Sequence, residues 1–77
     1  MPTAFVFITT NPSSMPVVLE NVRSIEGVTE ANMVYGVFDI VAKVQTETMD
    51  QLKHIIAFKI RMLANVLKTD TLIAVLP

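Results

Sequence analysis

The sequence predicts an α+β sandwich in which a four-stranded antiparallel sheet carries two helices on one face. Its 77 residues suffice for one small domain, spanning residues 1–77. Uncharged segments rich in β-branched and aromatic residues are typical of strands, and between them apolar residues recur at helical spacing. These segments follow one another in the order β-α-β-β-α-β, with Gly, Pro, Asn and Ser at the breaks.

The first two elements are a strand and a helix. Ala4–Thr10 has strand composition and carries no charge. Residues 11–14 interrupt it, and Ser13 or Ser14 can cap the helix that follows. Gly27 is suited to end that helix. The apolar stripe of the helix consists of Met15, Val18, Val22 and Ile25, widened by Leu19.

The middle of the chain predicts a β-hairpin. Val28–Tyr35 and Phe38–Gln45 both have strand character, and Gly36 supplies a turn between them. In the second of these strands, apolar residues occupy alternate positions from Phe38 onward. Because the connection is too short for a crossover, the two strands must pair antiparallel.

A second helix and a last strand complete the chain. Thr46 or Thr48 can cap the helix, Asn65 can end it, and Val66–Leu76 is the last strand. The apolar arc of this helix is wider than one sheet contact requires, which indicates a partner. One stripe consists of Met49, Leu52, Ile56 and Leu63, with Ile60 beside it, and a neighbouring stripe consists of Ile55, Phe58 and Met62.

Two successive right-handed βαβ units give the ferredoxin-like sandwich. One face of its sheet is bare, and a bare face in water should be polar at every second position. Here both faces of the first and last strands are apolar, so exposing them would cost roughly 1.5–3 kcal/mol per side chain. We therefore expect sheets to pack face to face, in an obligate dimer or a ring of dimers. The residues concerned are Ala4, Val6 and Ile8 against Phe5 and Phe7, and Leu72, Ala74 and Leu76 against Ile73 and Val75.

Composition excludes several classes of function. Without cysteine and with one histidine, the chain can form neither a disulfide nor a Cys/His zinc site. Six basic residues, scattered at a net charge of −1, do not make a phosphate-binding patch. Two glycines allow no Gly-rich phosphate loop, so we expect no cofactor. No apolar run is long enough for a membrane span or a signal peptide, and we expect a cytoplasmic protein.

Two patches carry candidate binding residues. Asp39 lies at the mouth of the hairpin among apolar neighbours; it is either a turn residue bonded to its own backbone or an acceptor for a ligand ammonium or a neighbouring subunit. Thr69, Asp70 and Thr71 place two hydroxyls on one strand face and a carboxylate on the other. They either make an edge strand soluble or suit a small zwitterion.

His54 is the only histidine, and it lies within the second helix beside Lys53. The simplest interpretation is a surface histidine. The functional alternative is an acid/base group in a small enzyme, although no carboxylate partner is evident from its sequence neighbours.

Together these features resemble the effector-binding half, or RAM domain, of the Lrp/AsnC family of feast/famine regulators. The resemblance covers nearly the whole chain. It lies in the element order, in Gly27-Val28 before the second strand, in Gly36-Val37-Phe38-Asp39 as the family's G-x-x-D hairpin, and in Val66-x-x-Thr69-x-Thr71 in the last strand. The chain departs from the family in having Ala64-Asn65 where Pro-Gly is usual, and in starting its first strand at Ala4, with no helix-turn-helix before it.

The resemblance implies a stand-alone effector-binding and oligomerisation module linked to transcriptional regulation of amino-acid metabolism. It implies sheet-mediated dimers, octameric rings or related forms, and an amino acid or related small molecule bound between dimers. Co-assembly with full-length Lrp/AsnC-type regulators is a further expectation. Backbone N–H groups of the loop would hold the ligand carboxylate, with Asp39 and Asp70 near its ammonium. The expected ligand-binding residues are Tyr35, Gly36, Val37, Phe38, Asp39, Thr69, Asp70 and Thr71.

Two alternatives share this strand order. The first is a small dimeric α/β-barrel enzyme, such as a cofactor-free monooxygenase or isomerase, with His54 as base in a pocket between sheet and helices. The second is an ACT-like regulatory module, which the Gly-x-x-Asp and Thr-x-Thr pair and the absence of an attached enzyme disfavour.

Overall fold

The computed structural model describes residues 1–75 and confirms the predicted order of elements. Leu76, the predicted end of the last strand, lies outside the described residues. The strands are β1 (Thr3–Thr10), β2 (Val28–Met33), β3 (Ile40–Gln45) and β4 (Val66–Ile73). The helices are α1 (Met15–Arg23), after a 3₁₀ turn at Pro12–Ser14, and α2 (Met49–His54), which continues as a π-helical segment at Ile55–Ile60.

The four strands form one antiparallel sheet in the order β2-β3-β1-β4. Strand β1 is therefore central, and Val6 lies opposite both Ala42 of β3 and Thr71 of β4. This is the order expected when two right-handed βαβ units interleave, with both helices on one face.

The core fills the space between the sheet and the helices. Along β1 and β3, alternate residues are fully buried, as the period of a strand requires. The helices contribute apolar stripes to the same cluster. The core consists of Ala4, Val6, Ile8, Val18, Leu19, Val22, Ala31, Ile40, Ala42, Val44, Leu52, Ile56 and Ile60.

The opposite face of the sheet, here called the open face, is covered by no element among residues 1–75. The register places Phe5 opposite Lys43 and Leu72, and Phe7 opposite Val41 and Asp70. Leu72 is 61% exposed and Phe5 36% exposed. The open face is thus apolar at its centre, as the sequence predicts, with charged side chains around it.

The start of α1 differs from the expected serine cap. Ser14 occupies the N-cap position but makes no side-chain cap bond. Asn11 caps the preceding 3₁₀ turn instead, its Oδ1 accepting the Ser13 N–H at 3.3 Å. The chain enters α1 through the 3₁₀ turn, so the side-chain cap lies at the start of that turn, at Asn11, and not at the start of the helix.

The second helix begins with a capping box. The Thr48 hydroxyl accepts the N–H of Gln51, and the Gln51 side chain accepts the N–H of Thr48. Of the two predicted caps, Thr48 is therefore the one used. The predicted continuous α-helix is wrong beyond His54, where π-helical bonding takes over and aligns Leu52, Ile56 and Ile60 on the buried side. Asn65 then adopts a left-handed φ of 69° before β4.

No helix among residues 1–75 is long and apolar enough to cross a membrane.

Thr10 is a buried polar residue whose effect on the stability of the core can be tested. It is 2% exposed, and its Oγ1 has no hydrogen-bond partner among the described residues. A buried hydroxyl without a partner costs about 1–3 kcal/mol. Thr10→Val is therefore expected to raise the free energy of unfolding by about 1 kcal/mol in urea denaturation. Thr9→Val, on the open face, serves as control and should change it by less than about 0.5 kcal/mol. A less stable Thr10→Val variant would show that the hydroxyl is satisfied in solution.

Candidate functional site

The β2–β3 hairpin has a loop of residues 34–39, longer than the predicted turn at Gly36. Strand β2 ends at Met33 and β3 begins at Ile40, so the predicted ends at Tyr35 and Phe38 are both too long. The backbone N–H of Val34 donates to the carbonyl of Asp39 at 2.9 Å and closes the loop.

Asp39 joins the hairpin to the central strand. Its N–H donates to the carbonyl of Ile8 at 2.9 Å, and its Oδ2 accepts the N–H of Thr10 at 2.8 Å. The carboxylate thus bonds to a strand 29 residues away rather than to its own turn. Asp39 therefore has a structural role at the end of β1, where the pairing with β4 becomes irregular between Thr9 and Thr10.

The tip of the hairpin projects into solvent. Tyr35 and Val37 are 106% and 87% exposed. Gly36 has a φ of +148°, and a Cβ placed there would meet no atom within 4 Å. At the base of the loop, Phe38 turns back onto the sheet, with its ring centroid 5.3 Å from that of Phe7. An aromatic and a β-branched side chain are thus held away from the body of the protein on a fixed base.

Of the patch formed by Thr69, Asp70 and Thr71, only Asp70 shares a face of the sheet with the hairpin residues. Asp70 lies opposite Phe7 on the open face, next to the strand position on which Phe38 packs. Thr69 and Thr71 lie opposite Ile8 and Val6 on the helix-covered face and are partly buried. Strand alternation therefore separates the two hydroxyls from the hairpin residues, while Asp70 shares a face with Phe38.

His54 is exposed at the end of α2. Its ring centroid lies 5.2 Å from that of Phe58. The space between the sheet and the helices, where the enzyme alternative places a pocket, is occupied by fully buried side chains such as Ile8 and Leu52. Residues 1–75 hold no group of three or more His, Cys, Asp or Glu side chains arranged for a metal ion.

A groove of about 900 Å³ lies at the other end of the sheet from the hairpin. Sequence analysis did not predict it, because its walls come from four separate segments: Met1 before β1, the α1–β2 turn, the end of β3, and α2 with its π-helical continuation. No spacing in the sequence signals such a groove. Its charged and ionisable lining residues are Glu26, Glu47, Asp50, His54 and Lys59.

The structural role of Asp39 can be tested by two substitutions. Asp39→Asn keeps an oxygen for the Thr10 N–H and should lower the free energy of unfolding by about 1 kcal/mol or less. Asp39→Ala leaves that partly buried N–H without an acceptor and should cost about 2–3 kcal/mol in denaturant unfolding. Equal stability of the two variants would show that the bond contributes nothing.

Comparison with known proteins assigns the chain to a family. A model of the Lrp/AsnC ligand binding domain matches residues 3–76. A comparison with curated proteins found no significant match. Among solved structures, TTHA0845 from Thermus thermophilus is 30% identical with a TM-score of 0.94, over 100% of this chain and 96% of that one.

Two further structures agree. The hypothetical protein PHS023 from Pyrococcus horikoshii is 36% identical with a TM-score of 0.91, over 100% of this chain and 93% of that one. E. coli AsnC is 28% identical with a TM-score of 0.89, and 99% of this chain corresponds to 52% of that one. The chain belongs to the Lrp/AsnC ligand-binding domain family.

Proposed function

We propose that the protein is an effector-binding and oligomerisation module that senses an amino acid or related small molecule and is linked to transcriptional regulation of amino-acid metabolism. The observation that carries the proposal is the hairpin, which has a firmly anchored base and an exposed apolar tip. Such a tip has no function within one chain, but it can complete a site at a boundary between subunits. Its expected location is the cytoplasm.

Dimerisation through the open face is the first step of the proposed assembly. Phe5, Phe7, Val41 and Leu72 form an apolar centre there, flanked by Lys43 and Asp70. Two such faces pack about 10 Å apart in β-sandwiches and exclude water from both. A self-complementary face of this kind suits a two-fold dimer.

Ligand binding between dimers is the second step. When the open faces pair, Tyr35 and Val37 remain at the end of the sandwich, where they can meet a second dimer. Backbone N–H groups of residues 35–38 are proposed to receive the ligand carboxylate. Asp39 uses Oδ2 for Thr10, and its second oxygen, with Asp70, is proposed to face the ammonium. The partly buried Thr69 and Thr71 remain weaker candidates for the same site.

Regulation then follows from linkage. A ligand that bridges dimers stabilises the assembly that completes its site, and assembly raises ligand affinity by the same factor. The output of the module would be a change of oligomeric state, passed to its partners, for which full-length relatives of the same family are the proposed candidates.

The dimer surface can be tested with two matched substitutions. Leu72 on the open face and Val17 on α1 are each 61% exposed, so neither is needed for the fold of one chain. Leu72→Lys is expected to weaken the dimer by roughly 100-fold, because two copies lose about 3 kcal/mol of burial. Val17→Lys should leave the dimer unchanged. Sedimentation equilibrium measures both. An 8.5 kDa wild-type species at micromolar concentration would contradict the proposal.

Ligand binding can be tested by thermal shift with the twenty amino acids at 10 mM. An amino acid present at about 100 times its Kd stabilises the protein by about 2.7 kcal/mol, a shift on the order of 10 °C for a domain of this size. Asp39→Asn keeps the fold but removes the charge, so its shift should disappear. Tyr35→Ala, at a fully exposed side chain, should reduce the shift without changing the unliganded midpoint. No shift with any of the twenty would reject amino-acid sensing.

A further inference from the structure

The two edges of the sheet differ in how their backbone groups are covered. The strand order places β2 at one edge and β4 at the other. An edge strand presents a row of unpaired backbone N–H and C=O groups, and these groups bind a further strand unless something covers them. The cover at each edge therefore decides whether another chain can extend the sheet there.

Arg23 covers the β2 edge. The Val34 N–H donates to the carbonyl of Asp39, so the alternation along β2 turns the backbone groups of Ala31 away from β3. Arg23, the last residue of α1, donates from its Nε to that outward carbonyl of Ala31 at 3.0 Å. Its guanidinium also lies 3.9 Å from the carboxylate of Glu20. A strand that approached β2 would have to displace this side chain.

The β4 edge has no such cover among residues 1–75. The Ala74 N–H donates to the carbonyl of Thr3 at 2.8 Å, which fixes the positions that bond to β1. Bonded and non-bonded positions alternate in an antiparallel pair, so the N–H and C=O groups of Thr69 and Thr71 point away from β1. No loop or side chain of residues 1–75 bonds to these outward groups.

The charges along β4 complement a second copy of the same strand. Lys68 and Asp70 are exposed, and their positions opposite Thr9 and Phe7 place both side chains on the open face. Neither belongs to an ion pair within residues 1–75. When two copies of β4 pair antiparallel about Thr69, Lys68 of each copy lies opposite Asp70 of the other. Opposite charges at facing positions stabilise such a pair of strands.

We propose that the β4 edge binds the β4 edge of a second copy of the chain, antiparallel about a two-fold axis at Thr69. In this register Thr69 lies opposite Thr69 of the other copy, and Thr71 lies opposite Leu67. The outward backbone groups of each strand then bond to those of the other, and the two four-stranded sheets become continuous. A two-fold contact of this kind uses the same residues on both copies.

The same charges disfavour the neighbouring registers. A shift of the axis by one residue in one direction places Lys68 opposite itself, and a shift in the other direction places Asp70 opposite itself. Lysines that protect an edge repel every copy of themselves. The alternation of Lys68 and Asp70 instead repels misaligned copies and attracts the aligned one, which favours self-pairing over simple protection of the edge.

This inference does not rest on the proposed open-face dimer or on the proposed ligand site. The two-fold axis at the β4 edge is perpendicular to the sheet, so the open faces of both copies lie on the same side and stay free to pack. The hairpin with its exposed tip at Tyr35 belongs to β2 and β3, in the other half of the sheet.

Amide exchange tests the pairing in the wild-type chain. The outward N–H groups of Thr69 and Thr71 are expected to exchange with D₂O roughly 10-fold more slowly, relative to their intrinsic rates, than the N–H of Met33. Met33 is the control because its N–H points outward from the β2 edge. The difference should shrink when the protein is diluted from about 1 mM to about 50 µM. Exchange of Thr69 and Thr71 as fast as that of Met33 would overturn the proposal.

Reversal of the charges tests the register. Lys68→Asp and Asp70→Lys each place like charges at both symmetric contacts, so each is expected to speed exchange of the Thr69 and Thr71 N–H groups roughly 10-fold. The double variant Lys68→Asp/Asp70→Lys restores opposite charges and should restore slow exchange. Lys53→Asp, the same charge change on α2, should exchange as the wild type does. A double variant no better protected than the single variants would overturn the proposed register.

The edge contact and the open-face dimer fail in different ways. Open-face packing without edge pairing gives a dimer in sedimentation whose Thr69 and Thr71 amides exchange rapidly, and this result overturns the edge contact alone. Edge pairing without open-face packing gives slow exchange at those amides and a sedimentation mass that Leu72→Lys leaves unchanged. Slow exchange that none of the charge variants alters would identify a different strand at the edge and would overturn self-pairing.

Discussion

Strand β1 is apolar on both faces, and the described part of the chain, residues 1–75, covers only one of them. Ala4, Val6 and Ile8 pack under the helices, while Phe5 and Phe7 lie on the open face. Strand β1 pairs with β3 on one side and with β4 on the other. Its uncovered side chains therefore lie within the sheet and not at an edge. A second layer from outside the chain would cover them. In the proposed dimer, the hairpin tip would lie at the end of the paired sandwich and the helices would lie outside it.

Asp39 links this sheet to the candidate site. Through its N–H and its Oδ2 it bonds both Ile8 and Thr10, so the hairpin base moves with the central strand. Tyr35 and Val37 at the tip are largely exposed, and Gly36 adopts its φ of +148° without crowding. In the proposed assembly, a rigid base below an exposed tip would let a small ligand influence how two dimers meet. It also means that one carboxylate could serve both the fold and a ligand. Asp39→Asn, which keeps an acceptor oxygen and removes the charge, separates these two roles.

The sequence predicted the fold well because hydrophobic period and helix-capping chemistry are local. The stripe through Val18 and Val22, a threonine cap for α2 and the helix end at Asn65 were predicted from near neighbours. The serine cap predicted for α1 was wrong, because Asn11 caps the turn before it. What it missed depends on distant contacts. The Asp39 to Thr10 bond joins residues 29 apart, and no local pattern predicts it. Both hairpin strands also end earlier than their residue composition predicts. The π-helical turn at Ile55–Ile60 lies in a helix for which the sequence alone predicts ordinary α-helical bonding. The groove beside Gly27 exists only where four segments meet.

The central claim is that a second copy of the chain covers the open face. An isotope-filtered NOE experiment on a mixture of ¹³C-labelled and unlabelled protein observes contacts between chains alone. The account predicts intermolecular NOEs that connect the rings of Phe5 and Phe7 with methyl groups of Val41 and Leu72. Intermolecular NOEs confined to methyl groups of the helix layer, or none at millimolar concentration, would contradict it.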